Sequence, residues 1–137
     1  MANVVLPKVR MFIPCVAIRL QPGKPVMIRD PLHTIRMSPG VTEKFVLDEI
    51  WFYAVLTDGL GRFRLSVELE DMEDIVLGRS EPHELVFSAG DQLNVKELGI
   101  HMTSVPFPRP GLYEFRLIAN HAHLEEGGTA LLRVLTG

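Results

Sequence analysis

His121-x-His123, followed by Glu125 and Glu126, is the arrangement in this chain best suited to hold a metal. Two histidines at i and i+2 on a strand project from one face, and either glutamate supplies a third ligand for a divalent ion. The competing reading is two solvent-facing imidazoles beside a hairpin tip at Glu125-Glu-Gly-Gly128. A second cluster, Glu68-Leu-Glu-Asp-Met-Glu-Asp74, packs five carboxylates into seven residues. Hard oxygen ligands of that kind suit calcium. The spacing and glycine of a helix-loop-helix calcium site are missing, however, and a solvated strand end that discourages edge pairing is the simpler reading.

The nucleophile candidates are weaker. Ser66, Ser80, Ser88 and Ser104 all lack a Gly-x-Ser-x-Gly setting, and none has a histidine placed by a local signature. Cys15 lies among apolar residues, where a thiol behaves as a small hydrophobe and resists ionisation. The spacing around His121 and His123 fails the cupin pattern, because Glu125 follows His123 too closely. Gly59-Leu-Gly61 reads as a hairpin turn between strands, so it cannot cradle a phosphate at a helix start. His33, His83 and His101 stand alone. Trp51, Phe52 and Tyr53 are consecutive, so on a strand they point to alternate faces and cannot form one sugar-stacking platform. No residue is assigned a catalytic role, and no cofactor or metal is assigned.

The totals set the frame for these groups. A chain of 137 residues fits a single domain, 1–137. Apolar residues make up 47% and charged residues 23%, a balance that fills a core without metals or disulfides. A net charge of −3 with no basic cluster argues against nucleic acid and against anionic lipid. The single cysteine excludes an intrachain disulfide. The opening residues lack the basic and apolar regions of a signal peptide, and no run of about 18 apolar residues occurs. The expectation is a cytoplasmic protein.

Alternation supplies the elements. Arg62 to Asp71 sets Phe63, Leu65, Val67 and Leu69 inward and Arg62, Arg64, Ser66, Glu68 and Glu70 outward, the pattern of a half-buried strand. Val95–Val105 places Leu98, Ile100 and Met102 inside, and Tyr113, Phe115 and Leu117 share a face beyond the Pro110-Gly111 turn. Short strands are expected at Ile75–Arg79 and Glu84–Ser88, with a last one at Thr129–Leu135. Val9–Leu20 predicts a strand with Phe12, Val16, Ile18 and Leu20 on one face, and Pro14 at an edge or bulge. Residues 26–37 should form two extended pieces split at Asp30-Pro31, closed by Ser38-Pro-Gly40. Glu43–Thr57 is apolar on both parities from Ile50 onward. Its face Ile50, Phe52, Ala54 and Leu56 is the expected surface for association, with Thr57-Asp-Gly-Leu-Gly61 as a hairpin turn behind it. Turn signals recurring every 8–12 residues, without helical periodicity, predict an antiparallel two-layer β-sandwich.

Two stretches carry a resemblance. Trp51-Phe-Tyr-Ala-Val-Leu-Thr-Asp-Gly59 with Gly61-Arg-Phe-Arg-Leu-Ser-Val67, and Val105-Pro-Phe-Pro-Arg-Pro-Gly-Leu-Tyr-Glu-Phe115, resemble a family of small uncharacterised bacterial proteins of the domain-of-unknown-function kind. With the segment between them they span about the last two-thirds of the chain. The apolar, glycine-containing segment of that family is replaced here by Asp30-Pro-Leu-His-Thr-Ile-Arg36. The resemblance implies an immunoglobulin-like sandwich and no assigned activity. Pro110-Gly111-Leu112-Tyr113 also looks like the tyrosine corner of such folds.

The residues therefore point to a non-enzymatic association module that pairs with itself or with another protein. The alternative is a small-ligand or metal-binding domain built on His121 and His123. A carbohydrate-binding module is the weakest reading, since the one tryptophan lies on a core-type strand.

Overall fold

The computed structural model describes residues 4–37, 45–90 and 94–136. In chain order the strands are β1 (Lys8–Arg19), β2 (Met27–Pro31), β3 (Thr34–Arg36), β4 (Phe45–Thr57), β5 (Gly61–Asp71), β6 (Val76–Arg79), β7 (His83–Phe87), β8 (Lys96–Phe107), β9 (Gly111–Ala119), β10 (Ala122–His123) and β11 (Thr129–Leu135). One sheet has the order β2-β1-β4-β8 and the other β3-β11-β9-β5-β6, with β7 on β5 and β10 on β9. Every pairing is antiparallel except β3 with β11, which is parallel. This is a two-layer β-sandwich. No helix among the described residues is long and apolar enough to cross a membrane.

The alternating strands build the core as expected. Phe63, Leu65, Val67 and Leu69 of β5, Leu98, Ile100 and Met102 of β8, and Tyr113, Phe115 and Leu117 of β9 are all buried. Strand β4 reverses its expected role. Ile50, Phe52, Ala54 and Leu56 have no solvent exposure and form the core wall, so they are not an association surface. Phe52 stacks on Phe12 with ring centroids 5.5 Å apart and meets Phe115 edge-on at 4.8 Å. The opposite parity faces outward. Nearer the start of β4, Phe45 and Leu47 pack against the core instead, and Val105 and Phe107 do the same on β8. The inward parity thus switches in both strands between the pairs Leu47↔Val105 and Glu49↔Thr103, where Ser104 adopts a φ of 52°. A left-handed residue in a strand turns the following side chains to the other face.

Four further expectations are corrected. Thr57–Gly61 joins β4 to β5, which lie in different sheets, so it is an arch between layers and no hairpin. Asp58 supplies the left-handed step (φ 61°); its carboxylate binds the Arg10 guanidinium at 2.7 Å and the Thr57 hydroxyl at 2.8 Å. Gly59 serves close approach: a Cβ there would lie 2.8 Å from the Phe87 ring. In β1 the register shift falls between Val9 and Met11, not at Pro14. β1 pairs β4 through Cys15 and β2 from Cys15 onward. Ile18 and Leu20 then reach the neighbourhood of Gly99 and Trp51 on the outer face, so they do not share a face with Phe12. The split in residues 26–37 comes at Leu32-His33, where the chain passes from one sheet to the other. Ser38-Pro-Gly40 lies outside the described residues.

The tyrosine corner is present. Tyr113 Oη donates to the Arg109 carbonyl and accepts the Arg109 N–H, tying the crossing between sheets to the first turn of β9. Tyr113→Phe keeps the ring, which meets Phe107 edge-on at 5.0 Å, and deletes only these bonds. The expected loss is about 1–2 kcal/mol, read from urea unfolding at constant m-value.

Candidate functional site

The histidine pair does not converge. Asn120 (φ 48°) and His121 (φ 72°) are the two residues of a tight turn between β9 and β10, of the type whose central residues are both left-handed. His121 is therefore at a turn tip and exposed, while His123 is on β10 with Nε2 3.0 Å from Thr129 Oγ1. The same-face rule for i and i+2 needs both residues in a strand, and His121 is not. Glu125 and Glu126 share with His123 a shallow depression of about 450 Å³ against Lys8 and Arg10. Among the described residues no group of three or more His, Cys, Asp or Glu side chains is arranged to hold a metal ion.

The acidic cluster is organised around an arginine. Arg116 of β9 reaches Glu70 at 3.1 Å, Asp74 at 3.1 Å and Glu114 at 3.0 Å, while Arg79 pairs with Glu68 at 3.3 Å. Asp71 Oδ1 accepts the N–H groups of Glu73 and Ile75 and closes the β5–β6 turn. Burial raises the Glu70 carboxyl above the usual range, with Arg116 pulling the other way. A guanidinium already occupies the place a cation would take.

The serines are structural where their bonds are visible. Ser80 is buried and fills the gap between β6 and β7 along β5, its N–H donating to the Val67 carbonyl and its Oγ accepting the Val67 N–H. Cys15 is fully buried, and desolvation raises its thiol pKa. No histidine stands beside either in a nucleophile–base arrangement among the bonds made.

Two surfaces remain that could bind something. The outer face of the four-stranded sheet carries three transverse rows: Met11–Val55–Glu97, Ile13–Tyr53–Gly99 and Cys15–Trp51–His101. Trp51 stacks on His101 at 4.2 Å, His101 Nε2 lies 2.9 Å from Glu49 Oε2, and Tyr53 Oη donates to Glu97 at 3.1 Å. That burial and that carboxylate together raise the Tyr53 pKa. Two depressions of about 390 and 360 Å³ adjoin here and share Trp51, His83 and Gly99. His83 and His101 look isolated in sequence. The signal for this face is Gly99, since a glycine inside a strand often marks a close approach. The second surface is a cavity of about 660 Å³ on the outer side of the seven-stranded sheet, lined by Arg64, Arg79, His121, Ser66 and Ile118 among others.

No protein-family model matches the chain, and no curated protein matches it in sequence.

Proposed function

We propose that this chain is a non-enzymatic association module that pairs with a second copy of itself through the outer face and free edge of the four-stranded sheet. The observation that carries the reading is the free edge of β8. This strand has β4 on one side only, and from Glu97 to Thr103 its other side makes no backbone hydrogen bond among the described residues. Unpaired strand edges are templates for another strand.

The occupant follows from charge and continuity. Antiparallel pairing of two β8 strands centred on Gly99 sets Glu97 of each copy opposite His101 of the other, a carboxylate against an imidazole twice over. The edge also runs on into the apolar rows, where Met11 is 44% exposed and Trp51 and Val55 are half-buried. The seven-stranded sheet, by contrast, shows Arg62, Arg64, Glu68, Glu114, Arg116 and Arg133 outward. It also exposes Val86, Leu112 and Leu131, so the choice of face rests on the Glu97–His101 complementarity along the β8 edge.

A charge swap tests this. Sedimentation equilibrium of untagged protein is expected to show a dimer. Glu97→Arg should weaken it about tenfold by removing the carboxylate that faces each imidazole, and Glu97→Arg with His101→Glu should restore it as an arginine–carboxylate pair. A wild type that stays monomeric at high concentration, or a swap that restores nothing, ends the proposal.

A further inference from the structure

We infer that the cavity between β5, the β6–β7 connection and the β9–β10 turn binds a small organic monoanion, a carboxylate carried on a partly apolar body. The site lies on the other sheet from the proposed self-association face, and meets it only at the β6–β7 connection, where Arg79, Ser80 and Pro82 also border the depression beside Gly99 and His101.

Arg64 is the centre of the argument. Its guanidinium makes no hydrogen bond or ion pair among the described residues, although Glu84 is its register partner on β7; Glu84 turns instead to Arg62 at 3.4 Å. Arg79, across the cavity, is held by Glu68 at 3.3 Å. Two guanidiniums and one carboxylate line the space, leaving one net positive charge before His121 is counted. An arginine fork matches a carboxylate with two parallel bonds. One uncompensated charge fits one negative charge.

The turn that presents His121 is fastened to Arg64 itself. The Asn120 N–H donates to the Arg64 carbonyl at 3.1 Å, Asn120 Oδ1 accepts the Arg64 N–H at 2.8 Å, and Asn120 Nδ2 donates to the Arg62 carbonyl at 3.1 Å. The backbones that carry the guanidinium and the imidazole are therefore fixed relative to each other before any ligand arrives, which lowers the ordering cost of binding. Between them Ser66 offers a hydroxyl with no partner among the described residues. Ile118 and Pro82 supply apolar wall. The site is half open to solvent, and its volume of about 660 Å³ lies in the range of small-molecule sites, so it has room for an organic body beside the carboxylate. Two arginines facing the same space exclude a metal cation as occupant.

The test is an NMR titration of the full untagged chain with sodium benzoate, benzyl alcohol and phenyl phosphate as probes. Benzoate is expected to shift the backbone amides of Arg64, Ser66, Asn120 and His121 saturably, and benzyl alcohol to bind about tenfold more weakly for want of the charge-assisted bond. Arg64→Gln, an exposed change that leaves the spectrum's dispersion intact, should weaken benzoate about tenfold as well. Absence of saturable shifts at these four residues overturns the site. So does equal binding of the alcohol, or an Arg64→Gln variant with unchanged benzoate affinity. Phenyl phosphate binding about tenfold tighter than benzoate overturns the monoanion assignment.

Discussion

Phe52→Ala is expected to cost the fold about 3–5 kcal/mol, the range for removing a large buried aromatic ring. The ring has no solvent exposure. It stacks on Phe12 from the same sheet and meets Phe115 of the facing sheet edge-on, so it joins the two layers. Truncation removes apolar burial and opens a void that neighbouring strands cannot close without shifting register. The outcome also separates two roles for β4. If this parity were an interface, Phe52→Ala would dissociate an oligomer and leave a folded monomer of nearly unchanged stability. Urea unfolding of wild type and variant at matched low concentration decides between them: a loss under 1 kcal/mol would remove Phe52 from the core. Phe52→Leu, which conserves more volume, should recover about half of the deficit.

The same strand explains why the architecture was legible and one of its faces was not. β5 and β9 alternate apolar with charged residues, and that contrast tells inside from outside without any knowledge of the partner sheet. β4 has no such contrast, because Trp51, Tyr53 and Val55 sit opposite Ile50, Phe52, Ala54 and Leu56. Both parities satisfy a core equally well in one dimension. The burial is settled by what the facing sheet offers, and by the Ser104 twist that reverses parity near the start of β4 and the end of β8. Asp58-Gly59 was readable as a turn but not as an arch, since hairpins and arches share turn chemistry and differ only in which sheet the next strand joins. His121 was misplaced for a related reason: Ala-Asn-His-Ala carries no glycine to announce a left-handed pair. The candidate cavity was illegible because Arg64, Arg79 and His121 come from three separate segments, and only β5's pairings with β6 and β9 bring them together.

Arg116→Met should destabilise the fold by about 2–3 kcal/mol at neutral pH, the scale of charged hydrogen bonds left unmade around a buried group. Glu70 is only 6% exposed, and the guanidinium is its ion-pair partner at 3.1 Å, with Glu68, Asp74 and Glu114 close enough to raise its pKa further. Methionine preserves the aliphatic cover that the arginine stem provides and removes only the charge. The pH dependence follows from the direction of the Glu70 shift. Its carboxyl is raised in the folded state by burial, so between the ordinary carboxylate value and the folded value the native chain binds more protons than the unfolded one. The contribution of Glu70 to stability is therefore full at acid pH and is lost as pH rises through the folded value. Without Arg116 that folded value climbs higher, and the variant's deficit should grow from about pH 4 to about pH 7. Adding Glu70→Gln removes the titrating group, and should recover part of the loss and flatten the difference. Urea melts of the three variants and wild type across that range provide the check. A deficit identical at both ends would mean that Arg116 acts through packing of its stem, and that the carboxylates around it are held by solvent rather than by its charge.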